Sequence, residues 1–320
     1  MDFSCVSKFF STNDNFLITT HVNPDGDGIG SMAGLTGLFD CIGKKYRVII
    51  NDPVPDKLTF LTQSQKFEIF SDDLHDESFN SVIIVDSPGI DRIGPVKKLI
   101  GKNAMIMNID HHEGNEAFGS CNLVFTNLSS SAHIVALIFQ EMKIEPDATT
   151  ASAIYTGITT DTGSFKYENT DAGTLEISAW LAEMGANPHE ISKILFAQNS
   201  YESTIGRGKM LSSITLHRNN TVAIAELDHE FMDSKIGRKV DTDGFANEVL
   251  SIKGVELAFL IREVNGKDCR VNFRAKSDLY DMNKMARKFG GGGHPRASGA
   301  TIPGRLEEVK SLLLDTIENG

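Results

Sequence analysis

The stretch Ala104-Met105-Ile106-Met107-Asn108-Ile109-Asp110-His111-His112 places an acid and two imidazoles directly after a short apolar run. A run of this length and apolarity is typical of a buried strand in the core of a sheet. Open α/β sheets bind ligands at the carboxyl ends of their strands, where these three polar residues are expected to lie. Three further acidic clusters follow predicted strands or helices, and we expect all four clusters to converge on one metal site.

The composition is that of an ordinary globular protein with an acidic first part. The 320 residues allow two domains, and 40% hydrophobic and 23% charged residues are common values. The net charge of −12 argues against a large nucleic-acid groove. Residues 1–210 carry 15 basic and 27 acidic residues, hence −12, whereas residues 211–320 carry 16 of each. The acidic excess therefore falls where metal ligands are predicted.

Cysteine spacing and the absence of targeting signals predict a cytoplasmic protein. The four cysteines contain no C-x-x-C pair, which argues against a disulfide framework or structural zinc and suits a reducing compartment. The N-terminus lacks the basic and apolar regions of a secretory signal. No apolar run approaches the roughly 20 residues of a membrane span, so we expect no contact with a membrane.

The order of predicted elements indicates an α/β fold, with a mostly parallel sheet and helices on both faces, followed by a smaller α+β domain. Alternation of strands and helices defines a catalytic domain over 1–187, a single linker helix over 188–211 and a second domain over 212–320. The strands predicted for the first domain are 16–20, 46–51, 81–86 and 104–110. In the second domain, strand pairs are predicted across Asn219-Asn220 and Asn265-Gly266-Lys267.

The first acidic cluster, H-x-x-P-D-x-D, places His21, Asp25 and Asp27 on a glycine-rich loop before a helix predicted over about 30–42. Imidazole with carboxylates suits Mn²⁺, Fe²⁺ or Zn²⁺, and a carboxylate-rich set favours manganese or magnesium. Two alternatives remain at this point. One is a dinucleotide-binding loop, although the G-x-G-x-x-G spacing is absent and two acids would repel a pyrophosphate. The other is a solvated acidic loop without a function.

Asp86 and Asp161, each taken alone, are equally consistent with turn or capping residues. Asp110-His111-His112 is a stronger signal, because adjacent histidines after a buried strand rarely serve packing alone. The serines at 129–131 open a predicted helix and are expected to be capping residues, since no neighbouring base is evident. The metal prediction depends on the combination of clusters.

These four clusters, in this order and spacing, resemble the motifs of the DHH phosphoesterases. The stretch GGGGHPRASG at 290–299 resembles the signature of the DHHA1 domain found in one branch of that superfamily. The resemblance spans nearly the whole chain and points to the nano-RNase and 3′-phosphoadenosine 5′-phosphate (PAP) phosphatase group. RecJ-type exonucleases carry an added nucleic-acid-binding domain, and manganese pyrophosphatases carry a different C-terminal motif.

The resemblance implies two divalent cations, with Mn²⁺ as the preferred metal. It assigns six ligands in two sets that share a bridge: His21 and Asp25 for one ion, Asp27, His111 and Asp161 for the other, and Asp86 between them. Two catalytic residues are also implied. Asp110 orients an imidazole, and His112 faces the phosphate as ligand or proton donor. The sequence leaves open which of His111 and His112 binds metal.

The glycine-rich stretch predicts a phosphate-binding segment. Gly291, Gly292 and Gly293 allow backbone N–H groups to approach an anion closely, and His294 and Arg296 follow at once. The alternative is a flexible connection between a helix and a strand. Arg274, on an alternating strand, is a further substrate-binding candidate. Many relatives have another polar residue at the position of Arg296.

The resemblance implies hydrolysis of short oligoribonucleotides and PAP by metal-activated water. Short single-stranded RNA or a mononucleotide bisphosphate is the expected partner, and long duplex nucleic acid is not. The alternatives are a phosphodiesterase for linear or cyclic dinucleotide signals, an inorganic pyrophosphatase, and a nucleotide-binding regulator without turnover. The oligomeric state stays open, with a homodimer as one option.

Overall fold

A computed structural model of the protein describes residues 1–62, 67–74, 76–277 and 279–318. The chain divides into two compact units, Met1–Gln198 and Asn199–Gly320. Each unit contains its own six-stranded sheet.

The first unit is built on a parallel sheet of strand order β3-β2-β1-β4-β5-β6. The central strands consist almost wholly of buried apolar residues, as parallel strands covered on both faces require. The predicted parallel α/β sheet is confirmed. Its strands are β1 (Phe16–Thr19), β2 (Tyr46–Ile50), β3 (Phe67–Ile69), β4 (Phe79–Val85), β5 (Ile100–Asp110) and β6 (Cys121–Val124).

α-Helices cover one face of this sheet, and a 3₁₀ segment over Ile90–Leu99 packs on the other. Ile93, Val96 and Leu99 of that segment pack against Leu17 of β1 and Ile84 of β4. The helices are α1 (Ser4–Thr12), α2 (Gly26–Ile42), α3 (Ser131–Met142), α4 (Ala148–Asp161), α5 (Ala172–Glu183) and α6 (Pro188–Phe196).

Helix α2 begins four residues earlier than the sequence suggests, because its glycines serve helix packing rather than a loop. A Cβ placed on Gly30 would lie 2.5 Å from the carbonyl oxygen of Ala153 in α4, and one on Gly34 would meet Ile154. Only glycine allows the two backbones to approach this closely. The close packing fixes the first turn of α2, which carries Asp27, against α4, which ends at Asp161.

The second unit contains a mixed sheet of order β11-β12-β10-β9-β8-β7, in which only the β8–β9 pair is parallel. Its strands are β7 (Thr215–His217), β8 (Val222–Leu227), β9 (Leu257–Val264), β10 (Asp268–Ala275), β11 (Gly292–Gly293) and β12 (Ala297–Pro303). Its helices are α7 (Tyr201–Ser212), α8 (His229–Asp233), α9 (Phe245–Leu250), α10 (Met282–Arg287) and α11 (Leu306–Glu318).

Both predicted strand pairs of this unit are present. Asn219 and Asn220 have φ of 53° and 67° between β7 and β8, and Asn265 and Gly266 have φ of 51° and 68° between β9 and β10. Asparagine and glycine tolerate this left-handed conformation, so local turn chemistry sets both pairings.

The prediction of one continuous helix over 188–211 is wrong. The structure has two helices here, α6 in the first unit and α7 in the second, with residues 197–200 between them. The Ser200 side chain accepts a hydrogen bond from the Ser203 N–H at 3.0 Å and so caps α7. A serine at this position offers the chain an N-cap, which starts a new helix instead of continuing the old one.

One disulfide is present although the cysteine spacing argued against a disulfide framework, because Cys5 of α1 and Cys121 of β6 are bonded. They are 116 residues apart in sequence, and strand β6 was not predicted, so cysteine spacing carried no sign of the pair. Cys41 and Cys269 are free thiols.

Location in the cytoplasm stays a prediction. Among the described residues, no helix combines the length and apolarity needed to cross a membrane.

Replacement of glycine by alanine should have opposite effects on stability at a packed and at an open helix position. Gly30→Ala forces a methyl group into the α4 backbone and should lower the free energy of unfolding by about 1–3 kcal/mol. Gly208→Ala in α7 meets nothing within 4 Å, and should raise it by about 0.4–1 kcal/mol. Urea unfolding of both variants tests this, and an unchanged midpoint for Gly30→Ala would show that the helices are not tightly packed.

Candidate metal centre

Four loops at the carboxyl ends of β1, β4 and β5 and at the end of α4 bring the predicted acids and histidines together. On the first loop, the Asp25 carboxylate accepts hydrogen bonds from the N–H groups of Asp27 and Gly28, both at 3.1 Å, and caps α2. The His21 Nδ1–H donates to the Val22 carbonyl at 2.8 Å. Since a carbonyl only accepts, the neutral form of the ring would carry its lone pair on Nε2, which faces Asp86.

Asp86 lies at the end of β4 with its two carboxylate oxygens facing different neighbours. Oδ2 lies 3.3 Å from His21 Nε2, and Oδ1 lies 3.7 Å from His111 Nε2. The residue is 2% exposed and has a φ of +53°, a conformation that aspartate tolerates better than most residues. Its N–H donates to the Ile109 carbonyl at 2.8 Å, which fixes it beside the end of β5. The geometry is that of a carboxylate shared by two sets of donors.

Asp27, His111 and Asp161 form the set on the Oδ1 side of Asp86. His111 Nε2 lies 3.8 Å from Asp27 Oδ2 and 3.5 Å from Asp161 Oδ2. Asp27 is held by the first N–H groups of α3, since those of Ser131 and Ala132 donate to it at 2.7 and 2.8 Å. A helix N-terminus presents unpaired N–H groups and a positive dipole end, so it stabilises this buried carboxylate.

His112 is held by a buried acid, Asp110. Its Nδ1 lies 2.8 Å from Asp110 Oδ1 and 3.6 Å from Asp86 Oδ1. The Asn115 amide donates to the other oxygen of Asp110 and to Asn108 Oδ1. Asp110 is fully buried, so this network fixes the orientation of the imidazole.

The donor chemistry fits divalent cations. In the described part of the chain, three groups of Asp and His have ligand atoms within 4.8 Å of one another, and all three belong to this cluster: His21, Asp25 and Asp86; Asp27, His111 and Asp161; and Asp86, His111 and His112. Among ion pairs between described residues, the buried carboxylates have only histidine partners. Mixed imidazole and carboxylate ligands suit Mn²⁺, Fe²⁺ and Zn²⁺.

Two family models match the chain, "DHH family, N-terminal domain" over residues 15–158 and "DHHA1 domain" over residues 219–319. The chain belongs to the DHH phosphoesterases that carry a DHHA1 domain. It is therefore a hydrolase of phosphate esters, and DHH phosphoesterases depend on metal ions.

Two relatives and one solved structure cover almost all of this DHH protein. The bifunctional oligoribonuclease and PAP phosphatase NrnA of Thermus thermophilus is 29% identical over 94% of this chain and 88% of its own. The protein of the same name from Bacillus subtilis is 27% identical, over 96% and 95%. A crystal structure of an exopolyphosphatase-related protein from Bacteroides fragilis matches with a TM-score of 0.89 and 27% identity, over 98% and 95%.

Charge crowding among the aspartates and histidines of this metal centre shifts their pKa values in opposite directions. Burial and the nearby Asp86 carboxylate raise the pKa of Asp161 to about 8, and the same two causes raise the pKa of Asp27. Burial opposes charge on His21, but hydrogen bonds to Asp25 and Asp86 outweigh it and raise its pKa to about 11. Burial also disfavours charge on Asp86, yet the neighbouring histidines hold its pKa below the usual range. The cluster concentrates negative charge around Asp86, as a cation site requires.

A base lies beside the serines at 129–131, which was not predicted. Ser129 Oγ lies 3.1 Å from His133 Nδ1, one helical turn away, so the expectation of no neighbouring base is wrong. The two residues are only 1% and 3% exposed, and burial lowers the pKa of His133 to about 4. A nucleophile closed off from solvent cannot reach a substrate. Ser130 accepts from the His133 N–H at 3.0 Å, and this confirms the predicted cap.

The supporting roles of three residues were not predicted, because neither a single Asn nor a serine at a helix start indicates contact with a distant carboxylate. Asn115 orients Asp110, and Ser131 Oγ donates to Asp86 Oδ1 at 3.2 Å. The Asn169 amide donates to the Ser129 carbonyl at 2.9 Å and to the carbonyl and carboxylate of Asp161 at 3.2 and 3.4 Å. These contacts connect the ligand loops to α3 and explain how loop residues are held in place.

The substrate-binding candidates lie together in the second unit. Gly292 and Gly293 pair with Gly299 and Ser298 of β12, and a Cβ on Gly291 would lie 2.2 Å from the Gly299 carbonyl oxygen. The following turn is closed by the His294 N–H, which donates to the Ala297 carbonyl at 2.8 Å. His294 is exposed. The glycine-rich stretch is thus an ordered edge of the sheet rather than a loose connection.

The two arginine candidates lie beside each other across β10 and its neighbour. The Ala275 N–H donates to the Arg296 carbonyl at 3.0 Å, and Arg274 pairs in register with Ala297. Arg274 Nε donates to Asn247 Oδ1 at 2.7 Å. The structure therefore brings Arg274 next to the segment that carries His294 and Arg296.

If Asp86 joins both donor sets, its loss should affect both. Asp86→Asn keeps the shape but removes the charge, so it should abolish tight binding of both ions rather than one. Titration of metal-free protein with Mn²⁺, followed by electron paramagnetic resonance, counts the bound ions. Asp91→Asn, at an exposed aspartate in the 3₁₀ segment, is the control and should bind as the wild type does. Retention of one tight ion by Asp86→Asn would show that Asp86 does not bridge.

Proposed function

We propose that this DHH phosphoesterase hydrolyses oligoribonucleotides of a few residues and PAP, with two divalent cations of which Mn²⁺ supports the highest rate. The observation that carries the proposal is the pair of donor sets around one carboxylate, with Asp86 Oδ2 facing His21 and Oδ1 facing His111. Such an arrangement suits two adjacent ions. The names of the relatives from Thermus thermophilus and Bacillus subtilis support the choice of substrates.

In this proposal, His21 and Asp25 hold one ion, Asp27, His111 and Asp161 hold the other, and Asp86 contacts both. When bound, the two ions lower the pKa of water and neutralise charge on the phosphate. The Asp110–His112 pair supplies proton chemistry. Burial opposes charge on His112, but the hydrogen bond to Asp110 raises its pKa to about 9. A protonated imidazole held in this orientation by Asp110 could donate its proton to the leaving oxygen.

The second unit supplies the nucleotide site. Gly291, Gly292 and Gly293 expose backbone without side-chain bulk, and His294 and Arg296 add hydrogen-bond donors. Arg274, fixed by Asn247, presents a guanidinium on the neighbouring strand. Donors of this kind bind a phosphate beside a terminal nucleoside, which short RNA and PAP both possess. A net charge of −12 fits short substrates, because these need few cationic contacts.

The alternative substrates are dinucleotide signals, linear or cyclic, and inorganic pyrophosphate. One panel that contains these compounds, PAP and end-labelled RNAs of two to twenty-four nucleotides ranks them by kcat/KM. A regulator without turnover is disfavoured, because the chain retains all six residues of the two donor sets. The highest kcat/KM on RNAs of two to five nucleotides and on PAP is the expected result. Equal rates on long RNA would contradict it.

The division between chemistry and nucleotide binding predicts two kinds of defect. His294→Ala removes a charged hydrogen bond worth about 1.5–3 kcal/mol, so kcat/KM for dinucleotides should fall about ten- to hundred-fold. Hydrolysis of bis-p-nitrophenyl phosphate, which lacks a nucleoside, should change little. Arg296→Ala should show the same selective loss as His294→Ala. Asp27→Asn, by contrast, should abolish both reactions.

The control variant is His189→Ala, at a histidine whose side chain is 82% exposed in the first unit. This variant should retain both activities. The wild type should lose both activities after chelation and regain them only when metal is added. Equal loss of both reactions in folded His294→Ala and Arg296→Ala would place the glycine-rich segment in the chemistry instead. Full activity of both on dinucleotides would show that the nucleotide binds elsewhere.

A further inference from the structure

Strand β10 divides its side chains between an apolar core and a polar face. Val271, Phe273 and Cys269 are buried in the apolar cluster on one side of the second sheet. Arg270 and Arg274 alternate with them and therefore point to the opposite side, with Asn272 between them. Three consecutive positions on that side of one strand thus carry two guanidinium groups and an amide.

A third arginine faces this row directly across the sheet. Arg262 of β9 is in register with Arg270 of β10, so the two side chains start from directly opposed positions. Their Cβ atoms are about 4.5–5.5 Å apart in such a pair, and like charges placed this way destabilise a sheet. The sequence retains two cations where a neutral or oppositely charged pair would be more stable.

Neutral groups hold Arg262 in place. Its Nη1 donates to Thr242 Oγ1 at 2.6 Å and its Nη2 to Asn272 Oδ1 at 3.1 Å. Its Nε is buried and has no hydrogen-bond partner among the described residues. Burial and the charge of Arg270 lower the pKa of the Arg262 guanidinium, while Asp241 acts in the opposite direction. Across the described residues, neither Arg262 nor Arg270 forms an ion pair, so no carboxylate of the described chain contacts either guanidinium.

The apolar cover on this side of the sheet ends short of the arginine pair. Helix α9 covers the same side of β9 at Ala258 and Leu260, and this apolar cover stops before Arg262. On the other side, Asn272 is in register with Gly299 of β12, which has no side chain. Arg270 is exposed. Its position lies four residues along β10 from Arg274, about 13 Å at 3.3 Å per residue.

We propose that Arg262 and Arg270 form a second phosphate subsite, which binds a non-scissile phosphate of an oligonucleotide one or more nucleotides away from the phosphate held near Arg274. The proposal rests on the proposed function and specifies its substrate class as chains with several phosphates. A phosphate between two guanidiniums removes their repulsion and accepts bidentate hydrogen bonds from either. The subsite favours oligonucleotides over PAP, which ends before it.

The test compares substrate lengths in two variants and one control. Arg262→Gln and Arg270→Gln should each lower kcat/KM for a tetranucleotide about tenfold, because a charge-assisted hydrogen bond is lost. Neither should change kcat/KM for a dinucleotide or PAP. Arg238→Gln, at an exposed arginine of the same unit that pairs with Asp233, should match the wild type throughout. The melting temperature of Arg270→Gln should not fall, since the variant removes a repulsion.

A neutral methylphosphonate at one non-scissile linkage of the tetranucleotide shows whether phosphate is what the pair recognises. One such linkage should reduce the wild-type kcat/KM as much as Arg270→Gln does and cause no further loss in that variant. Provided that the wild type cleaves RNA, three results would overturn the assignment. They are an equal loss of kcat/KM on dinucleotide and tetranucleotide, additive losses from the methylphosphonate and Arg270→Gln, and no loss in either arginine variant. If the wild type cleaves neither RNA, the proposed function is itself wrong and the subsite falls with it.

Discussion

The carboxylate of Asp86 is the point on which the first unit depends. It is buried, lies between two sets of histidine and aspartate donors, and is fixed by a backbone hydrogen bond to the end of β5. A buried carboxylate is stable only when cations or hydrogen-bond donors surround it. Asp86 follows the carboxyl end of β4, a central strand of the parallel sheet, where the other ligand segments also end.

The other strands and helices of the first unit hold the four ligand segments in place around Asp86. Parallel strands bring β1, β4 and β5 to one edge, and the amino end of α3 supplies two N–H groups to Asp27. Glycines in α2 let this helix lie against α4, and Asn169 connects Asp161 to the loop before α3. The ligand loops therefore rest on regular elements whose packing excludes other arrangements, as the precise placement of metal ligands requires.

Sequence patterns were sufficient for most local signals, but the Ser200 cap that starts a second helix within residues 188–211 was missed. The strand before Asp110 and the turns at Asn219-Asn220 and Asn265-Gly266 each carry their own chemistry, and all are present, although that strand is buried only from Met107 onward. Signals between distant residues were not readable. The Cys5–Cys121 bond joins residues 116 apart, and the early start of α2 depends on contact with α4. Arg262 and Arg270 look like ordinary strand arginines until the register places them opposite each other.

The central claim is that Asp86 is shared by two metal ions. Crystals of the wild type grown with Mn²⁺, with diffraction measured at the manganese absorption edge, test it most directly. Two anomalous peaks are expected, each beside a different carboxylate oxygen of Asp86, one near His21 and Asp25 and the other near Asp27, His111 and Asp161. A single peak, or two peaks of which only one contacts Asp86, would contradict the account.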